Sequence, residues 1–444
     1  MIQSKKFKSK KYAVVGLGRS GLTTLKCLEK SGAKTYAWDD SGDGSTHPLT
    51  SMNDIPWSQL EALILSPGIP LSHPKPHPTV LKAKEHNVPI FGDIDLLMQA
   101  QPKATYIGIT GTNGKSTASS LIHHILRHAG FKTEIGGNIG IPCLALNSLE
   151  KEGIYILELS SYQLDLLHEK CLDFSILLNI TPDHIDRHGS LENYCLSKKR
   201  IFDQQREGGT KIITGSDKYS QEIAKSSPGA INTPHHKKLS VRNGKIFASD
   251  KEICNFSRNF SLQGEHNEQN VMAAVCIAAH FQIDNCTLEE ALLSFSSLPH
   301  RQEKVGEYKH IDFVNDSKAT NADATAGALN RFKNIFWIVG GRAKDGGIHA
   351  LATYFKNINH AFLIGESTPQ FKDDLQGKIP FTESFDLENA VSQAFKNALT
   401  SKEPVTILLS PSCSSFDQFK NFEVRGEAFR KTVLTIIKRQ EEIV

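Results

Sequence analysis

The sequence predicts an α/β protein of three domains, each a mostly parallel sheet with flanking helices. Short apolar segments rich in β-branched residues alternate with longer segments of helical periodicity, as in βαβ units. Three of the apolar segments lead into glycine-rich turns that lie far apart in the chain. Since one doubly wound sheet seldom needs three such turns, we assign one turn to each domain and predict domains at 1–95, 96–298 and 299–444. The length of 444 residues is typical of about three domains.

Eight segments are predicted as strands because each is short, apolar and bounded by Gly, Pro, Ser or Asp. They are Tyr12–Val15, Ala62–Leu65, Tyr106–Thr110, Tyr155–Leu159, Ser175–Asn179, Ile335–Val339, Ala361–Ile364 and Val405–Leu409. A further candidate strand covers 35–38, and the periodicity predicts a helix over 191–206.

Composition excludes several classes of protein. The 51 basic and 48 acidic residues leave a formal charge of +3, too little for a nucleic-acid-binding surface. The eight cysteines are scattered and never separated by only two residues, which excludes zinc-ribbon spacing and favours reduced, buried thiols. The longest apolar stretch, 271–279, is far shorter than a membrane span. We expect a cytoplasmic monomer that contacts neither nucleic acid nor membrane.

The first glycine-rich turn predicts a Rossmann-like N-terminal domain. Gly16, Gly18 and Gly21 have the G-x-G-x-x-G spacing after a strand, and Asp39, 18 residues after Gly21, directly follows the candidate strand at 35–38. The N-terminus of the following helix recognises a pyrophosphate rather than a nicotinamide. This turn therefore fits either an NAD-dependent oxidoreductase or a protein that binds another nucleotide diphosphate.

The second glycine-rich turn predicts a central P-loop ATPase domain. A strand enters the segment Y-I-G-I-T-G-T-N-G-K-S-T at 106–117, and a helix leaves it. Gly111 and Gly114 allow the backbone to approach a phosphate, Lys115 supplies a positive charge, and the Ser116 hydroxyl can ligate Mg²⁺. The sequence departs from the general P-loop at Ile109, where that pattern has a glycine.

Polar side chains follow the next two predicted strands. Glu158 lies in an apolar strand, where a carboxylate is costly unless it is paired or holds a metal ion. His184 lies in the polar string D-H-I-D-R-H and is a candidate ligand for a metal ion or a phosphate. The helix that follows carries Lys198, Lys199 and Arg200, and its charge pattern alone singles out none of them.

The last third of the chain is rich in groups that bind anions, and its third glycine-rich turn predicts a Rossmann-like C-terminal domain. Before it, Asn267 and Asn270 lie one helical turn apart, so that their amides can face an adenine edge. Arg301 offers a donor fork for phosphate or carboxylate, and Asp316 can accept from ribose hydroxyls. Further candidates for anion binding are Lys318, Thr320, Lys344 and the string S-P-S-C-S-S-F-D-Q-F-K-N-F at 410–422. Together these groups favour a dianionic amino acid as ligand.

Several of these strings, in order and over nearly the whole chain, resemble the Mur ligases, the ATP-dependent amide-forming enzymes of peptidoglycan synthesis. They are T-G-T-N-G-K-S-T, G-G-N-I-G (136–140), E-L-S-S-Y-Q-L (158–164), D-H-I-D-R-H (183–188) and K-K-R-I-F (198–202). The family's loop is G-T-N-G-K-[ST], which accounts for Ile109. Within the family, D-S-K-A-T-N (316–321) and D-Q-F-K-N-F-E (417–423) are similar to the member that adds D-glutamate to UDP-N-acetylmuramoyl-L-alanine.

The resemblance implies a binding role for three sets of residues. ATP would be bound by Gly111, Thr112, Asn113, Gly114, Lys115, Ser116, Thr117, Asn267, Asn270, Arg301 and Asp316. The UDP-linked substrate would be bound by Gly16, Leu17, Gly18, Arg19, Ser20, Asp39, Gly68, Asn138, Ser160, Gln163 and His184. D-Glutamate would be bound by Lys318, Thr320, Lys344, Ser415 and Phe422.

The resemblance also implies the catalytic groups. Lys115 would contact the γ-phosphate of ATP, and two Mg²⁺ ions would be held by Ser116, Glu158, His184 and Lys198. For this role Lys198 would be carbamylated, which turns a cation into an oxygen ligand and requires the neutral amine. ATP would phosphorylate the substrate carboxylate, and the amine of D-glutamate would attack the acyl phosphate.

Three alternatives stay open on the sequence. One is another ligase of the superfamily, either a different Mur ligase or a folylpolyglutamate synthetase. A second is a Rossmann NAD-dependent oxidoreductase, which rests on the first domain alone and leaves Lys115, Glu158 and Lys198 without a role. The third is a regulatory protein that binds nucleotide without turnover.

Overall fold

The computed structural model describes residues 1–42, 44, 47–138, 140–149, 151–235, 239–296, 298–343 and 346–442. The chain forms two compact units, one of Met1–Arg258 with Asn267–Ser294 and one of Asn259–His266 with Phe295–Val444. The predicted α/β class with mostly parallel sheets is confirmed. The predicted domain 1–95 lies in the first unit, as do residues 96–258 and 267–294 of the second predicted domain, and the boundaries at 95 and 298 remain a prediction.

The first unit begins with a four-stranded, fully parallel sheet in the order β2-β1-β3-β4. Its two central strands, β1 and β3, are almost wholly buried, as parallel sheets require. Helices connect β1 to β2 and β3 to β4, and a segment with the 3-10 turn Trp57–Gln59 connects β2 to β3. The elements are β1 (Lys11–Val15), α1 (Arg19–Lys30), β2 (Lys34–Trp38), β3 (Ala62–Leu65), α2 (Pro78–Glu85), β4 (Ile90–Phe91) and α3 (Asp93–Ala100).

A second parallel sheet of six strands follows in the same unit, in the order β10-β9-β8-β5-β7-β6. Its elements are β5 (Thr105–Thr110), α4 (Lys115–His128), β6 (Thr133–Gly137), β7 (Ile154–Glu158), α5 (Ser161–Leu166), β8 (Leu172–Leu177), α6 (Ile185–His188), α7 (Leu191–Lys199), β9 (Gln205–Ile213), α8 (Lys218–Lys225) and β10 (Ile231–Asn232). A small antiparallel sheet and two helices complete the unit: β11 (Leu239–Arg242), β12 (Lys245–Ala248), β13 (Lys251–Asn255), α9 (Glu265–His280) and α10 (Asn285–Ser294).

The second unit is built on a six-stranded sheet in the order β14-β15-β19-β16-β17-β18. Only the pairing of β14 with β15 is antiparallel among these described strands, and the other pairings are parallel. The elements are β14 (Glu303–Tyr308), β15 (Ile311–Asn315), α11 (Ala322–Arg331), β16 (Ile335–Gly340), β17 (Ile358–Ile364), α12 (Thr368–Leu375), β18 (Phe381–Phe385), α13 (Leu387–Ala398), β19 (Val405–Leu409) and α14 (Phe422–Glu441).

The predicted helix over 191–206 is too long. Helix α7 ends at Lys199, a 3-10 turn covers Arg200–Phe202, and β9 begins at Gln205. Arg206 extends from this strand to Asp173 of β8, with Nη1 3.0 Å from Oδ1. The tertiary pairing of β9 with β8 thus overrides the local helical pattern. Within the described residues, no helix has the length and apolarity that would let it cross a membrane.

Candidate active site

The middle glycine loop, residues 111–117, joins β5 to α4 through backbone conformations that only glycine adopts easily. Gly111 has φ +158° and Gly114 has φ +84°. A Cβ atom on Gly114 would lie 2.5 Å from Oδ1 of Asn270, and one on Gly111 would lie 3.0 Å from Cβ of Leu178. Both φ and the close packing therefore require glycine here.

The segment that follows β8 along the chain holds the loop in place. Asn179 accepts from the Asn113 backbone N–H at 2.9 Å and donates from its own amide to the Asn113 carbonyl at 3.1 Å. The Thr112 hydroxyl donates to the Thr181 carbonyl at 3.1 Å and accepts from its N–H at 3.0 Å. These bonds between adjacent strand ends keep the loop rigid before any ligand binds.

Two lysine amines meet at one carbonyl of the loop. Lys115 Nζ donates to the Gly111 carbonyl at 2.7 Å and to the Thr112 carbonyl at 2.8 Å. Lys198, only 1% exposed, donates from Nζ to the same Gly111 carbonyl at 2.8 Å and lies 4.7 Å from the Tyr194 ring centroid. The predicted catalytic lysines are thus brought together, although they lie 83 positions apart in the chain.

Burial lowers the pKa of Lys198 well below its usual value, and the neighbouring charge of Lys115 lowers this pKa further. A buried ammonium with a second cation beside it is costly, so the neutral amine is favoured. Lys199, the adjacent lysine, shows no such burial. The tertiary structure therefore distinguishes two lysines that the charge pattern left equivalent.

Glu158 ends β7 and is 2% exposed. Its Oε1 accepts from the Asn138 amide at 2.8 Å, and its backbone carbonyl accepts from the Asn138 N–H at 2.9 Å. Ser116, in the first turn of α4, is 1% exposed. A buried carboxylate and a buried hydroxyl are the hard oxygen donors that Mg²⁺ prefers.

His184 is the N-cap residue of α6 and has the unusual φ of +55°. Its side chain is 43% exposed, and its ring centroid lies 5.2 Å from that of Tyr162. Among the described residues, no three His, Cys, Asp or Glu side chains are grouped to hold a metal ion. A serine hydroxyl and a carbamate can also bind a metal ion. The predicted ligand set of Ser116, Glu158, His184 and Lys198 therefore remains a prediction.

A cleft of about 530 Å³ opens between the first glycine turn and the G-G-N-I-G loop, within the first unit. Eight of the residues predicted to bind the UDP-linked substrate line this cleft. They are Gly16, Gly18, Arg19, Ser20, Asp39, Gly68, Asn138 and Gln163. The structure thus brings together residues that lie far apart in the chain.

Asp39 and Ser160, also predicted substrate contacts, hold the cleft in shape. The Asp39 carboxylate accepts from the Leu17 N–H and, at 2.9 Å, from the Ser41 N–H, and these bonds, that from Leu17 foremost, lower its pKa. Ser160 caps α5 by accepting from the Gln163 N–H at 3.2 Å, and Gln163 Oε1 accepts from the Ser160 N–H at 3.1 Å. Ser160 is not among the lining residues of the cleft.

Asn267 and Asn270, the predicted adenine contacts, lie in α9 and are 4% and 1% exposed. The Asn270 amide donates to Asn267 Oδ1 at 3.0 Å. Both amides are therefore packed inside the first unit, with Asn270 against the glycine loop. Their role toward adenine stays a prediction.

In the second unit, the predicted nucleotide contact Asp316 already has hydrogen-bond partners within the protein. Its carboxyl accepts from the Ser410 hydroxyl at 2.8 Å and from the Gln302 N–H at 3.1 Å, and burial raises its pKa to about 7. Arg301, the other predicted contact in this unit, tends to lower the same pKa through its charge.

Of the predicted D-glutamate contacts, Lys318 and Phe422 lie together, with the lysine Nζ 5.0 Å from the ring centroid. Thr320 follows Lys318 in the segment after β15, and Ser415 follows β19, where its side chain is 2% exposed. The fifth contact, Lys344, lies outside the described residues.

Comparison with known proteins assigns the family. A relative in Rhodopseudomonas palustris, named UDP-N-acetylmuramoylalanine--D-glutamate ligase, is 41% identical, and the alignment covers 98% of each chain. A relative of the same name in Caulobacter vibrioides is 42% identical over 98% of this chain and 97% of its own. The chain belongs to the Mur ligase family. Two family descriptions agree: the Mur ligase middle domain matches residues 109–278, and the Mur ligase glutamate ligase domain matches 300–413. The predicted family and the predicted class of enzyme, an ATP-dependent ligase, are confirmed.

Solved Mur ligase structures share the fold at low sequence identity. MurF from Acinetobacter baumannii aligns with a TM-score of 0.60 at 16% identity, over 97% of this chain and 93% of its own. MurC from Thermotoga maritima aligns with a TM-score of 0.59 at 15% identity, over 96% and 99%. MurF from Thermotoga maritima, solved with ADP, aligns with a TM-score of 0.58 at 17% identity, over 98% and 97%.

Sequence reasoning missed three residues that shape this Mur ligase site. Asn179 secures the glycine loop through its bonds to Asn113. Arg187 stacks at 4.5 Å on Tyr162 and donates to the Gly68 carbonyl at 3.0 Å, which supports one wall of the cleft. Its place in the D-H-I-D-R-H string was the available signal.

The third missed residue is Arg425 in the second unit. It is 1% exposed and donates to the Ser317 hydroxyl and carbonyl, at 3.0 and 2.8 Å, and to the Cys413 carbonyl at 3.1 Å. Burial lowers its pKa to about 10. It thereby joins the segments after β15 and β19, which carry Lys318 and Ser415. Nothing local in the sequence signals this long-range role.

Proposed function

We propose that this Mur ligase adds D-glutamate to UDP-N-acetylmuramoyl-L-alanine through an acyl phosphate, in the synthesis of peptidoglycan precursors. One observation carries the proposal: Nζ of Lys115 and Nζ of Lys198 both donate to the Gly111 carbonyl, in the loop that leads into α4. The name that close, nearly full-length relatives carry supports D-glutamate as the amino acid added.

The glycine loop is suited to the triphosphate of ATP. Backbone N–H groups of the loop and the first turn of α4 point toward an anion at the helix N-terminus. Lys115 already holds its amine over the loop through two carbonyls, so little side-chain entropy is lost when it turns to the γ-phosphate. We assign binding of the UDP part to the cleft in the first unit.

Ser116, Glu158, His184 and Lys198 form the proposed donor set for two Mg²⁺ ions. Mg²⁺ bound there would neutralise charge on the phosphoryl group during transfer. Lys198 fits a carbamate because its lowered pKa favours the neutral amine, which attacks CO₂ and then releases one proton. The resulting carbamate would present oxygen donors in place of an ammonium.

The reaction follows from the weakness of a carboxylate as an electrophile. Transfer of the γ-phosphoryl group to the L-alanyl carboxylate creates an acyl phosphate and releases ADP. The neutral amine of D-glutamate attacks the acyl carbon, and the tetrahedral intermediate collapses to an amide and inorganic phosphate. The residues proposed to hold D-glutamate are Lys318, Thr320, Lys344, Ser415 and Phe422.

The domain roles follow from these assignments. We assign 1–95 to the UDP-linked substrate, 96–298 to ATP and 299–444 to D-glutamate, in a monomeric enzyme of the cytoplasm. Arg301 and Asp316 remain proposed nucleotide contacts.

The decisive experiment measures phosphate release from ATP and Mg²⁺ with UDP-N-acetylmuramoyl-L-alanine and a panel of amino acids. D-Glutamate should support turnover, and L-glutamate, L-lysine and diaminopimelate should not. Omission of D-glutamate is the control. Turnover with another amino acid only would assign a different ligase, and phosphate release that needs no amino acid would contradict ligation.

A further inference from the structure

A carboxyl group is buried behind the cleft with no clear structural partner. Asp93 is the first residue of α3 and is 4% exposed. Among the described residues, neither of its carboxyl oxygens has a hydrogen-bond partner at standard geometry. Since buried polar groups are almost always bonded, this one needs an explanation.

Asp95, the next acidic residue in α3, provides a comparison, because its carboxylate has a purely structural role. Asp95 is fully buried and accepts from three backbone N–H groups, those of Gly92, His168 and Glu169, at 3.1, 2.8 and 3.0 Å. It caps α3 and fixes the segment after α5. The N–H groups of Asp93 and Ile94, in the first turn of α3, only partly offset the burial of Asp93, and neither forms a hydrogen bond of standard geometry with its carboxyl.

The side chains that face Asp93 come from both walls of the cleft. They are the Ser20 hydroxyl of α1 and the Cys143 thiol, which begins the 3-10 turn Cys143–Ala145. Ser20 lines the cleft itself, and so does Pro142, the neighbour of Cys143. Asp93 therefore lies directly behind the point where the first glycine turn and the segment after the G-G-N-I-G loop approach each other.

The surroundings favour the neutral carboxylic acid. Burial raises the pKa of Asp93 above its usual range, and Cys143, Ser20 and backbone N–H groups lower it only in part. The thiol that faces it is also neutral, because burial and the Asp93 carboxyl raise the pKa of Cys143. Cys27 of α1 lies beside that thiol and is neutral for the same reason, burial.

We propose that Asp93 is a positioning residue for the UDP-linked substrate and acts through Ser20. With the diphosphate bound, the protonated carboxyl would donate its hydrogen to Ser20 Oγ, so that the single hydroxyl hydrogen of Ser20 would be directed into the cleft toward an anionic diphosphate oxygen. A carboxylate accepts hydrogen bonds only, and an ionised Asp93 would draw the hydroxyl hydrogen away from the ligand. This inference rests on the proposed function, since it names how the same substrate is held.

The test compares KM for UDP-N-acetylmuramoyl-L-alanine in Asp93→Ala, Asp93→Asn, Ser20→Ala and the double variant Ser20→Ala/Asp93→Ala. Loss of one hydrogen bond to an anion should raise KM about tenfold in Asp93→Ala, with kcat and KM for ATP little changed. Asp93→Asn should stay close to wild type, because its amide N–H donates as the acid does. The double variant should have the KM of Ser20→Ala alone, because Asp93 acts through that hydroxyl.

The pH profile gives a second readout. KM of the wild type should rise as pH passes above the pKa of Asp93, whereas KM of Asp93→Asn should not follow this rise. Asp95→Asn is the matched control, since it should lower Tm and leave KM unchanged.

Three results would overturn the inference: an unchanged KM in Asp93→Ala, additive effects in the double variant, or equal impairment in Asp93→Asn and Asp93→Ala. If Asp93→Ala fails to fold, the pH profiles of wild type and Asp93→Asn still decide. Failure of the wild type to turn over the UDP-linked substrate would instead overturn the proposed function.

Discussion

At the scale of single residues, the site depends on two amines that share one acceptor. Lys115 and Lys198 both donate to the Gly111 carbonyl, and their charges disfavour each other. Only Lys198 is fully buried, and burial lowers its pKa. We therefore propose different roles for the two lysines. Lys115 binds the phosphate as a cation, and Lys198 supplies the neutral amine that a carbamate requires.

Replacement of Lys115 by alanine should abolish ATP-dependent amide formation and leave binding of the UDP-linked substrate intact. The reason is that Lys115 supplies the charge beside the γ-phosphate, whereas the cleft lies on other segments. Phosphate release and titration calorimetry with the UDP-linked substrate measure the two properties. Normal turnover of Lys115→Ala would show that the glycine loop is not the phosphate site.

Replacement of Lys198 by alanine should cripple turnover, with partial rescue by added short carboxylates such as formate or acetate. A free carboxylate can replace the oxygen donors of the proposed carbamate in the space that the side chain leaves. Lys199→Ala is the matched control, since this lysine is not buried against the loop, and it should be active. Full activity of Lys198→Ala without an added carboxylate would contradict the proposal that a carbamate on Lys198 takes part in the reaction.

At the scale of secondary-structure elements, parallel strands bring the functional side chains to one edge of the second sheet. The middle glycine loop follows β5, Glu158 ends β7, and Asn179 follows β8. These three strands are adjacent in the sheet, in the order β8-β5-β7. Ligand sites of open α/β sheets lie at the carboxyl ends of the strands for this reason.

The loop geometry predicts a sharp difference between two glycines. A Cβ on Gly114, which has φ +84°, would clash with Asn270, whereas a Cβ on Gly130, which has φ +86°, would meet no atom within 4 Å. Gly130→Ala should cost only about 1 kcal/mol of unfolding free energy, from its backbone conformation. Gly114→Ala should cost more and should also abolish ATP binding.

Urea unfolding and ATP-binding titrations of the two glycine variants measure this difference. Equal stability losses with retained ATP binding in Gly114→Ala would contradict the close packing of the loop against α9.

At the scale of the whole molecule, the two compact units divide the predicted ligand contacts. All residues predicted to bind the UDP-linked substrate belong to the first unit, and the four described residues predicted to bind D-glutamate, Lys318, Thr320, Ser415 and Phe422, belong to the second. Since a ligand stabilises only the folded unit that binds it, ligands can be assigned to units by calorimetry.

UDP-N-acetylmuramoyl-L-alanine should therefore raise the unfolding temperature of the first unit. At a ligand concentration of about 100 times Kd, the stabilisation should be about 2.7 kcal/mol. Differential scanning calorimetry of the full chain, with and without the ligand, measures the shift. D-Glutamate alone, as the comparison ligand, should not stabilise the first unit. A shift confined to the second unit would contradict the assignment of the cleft.

By itself the sequence determined the fold class, most of the central strands, the glycine loop and the family. These features can be predicted because they depend on local sequence patterns. Short apolar segments predict buried parallel strands, and glycines indicate turns with positive φ. Tertiary structure alone decided which lysine of α7 is buried against the loop, where that helix ends, and that Asp93 faces Ser20. The antiparallel sheet β11–β13 was likewise not predicted, since its short strands carry little apolar signal. Burial, pKa and hydrogen-bond partners depend on segments far apart in the chain, and no local pattern records which segments will pack together.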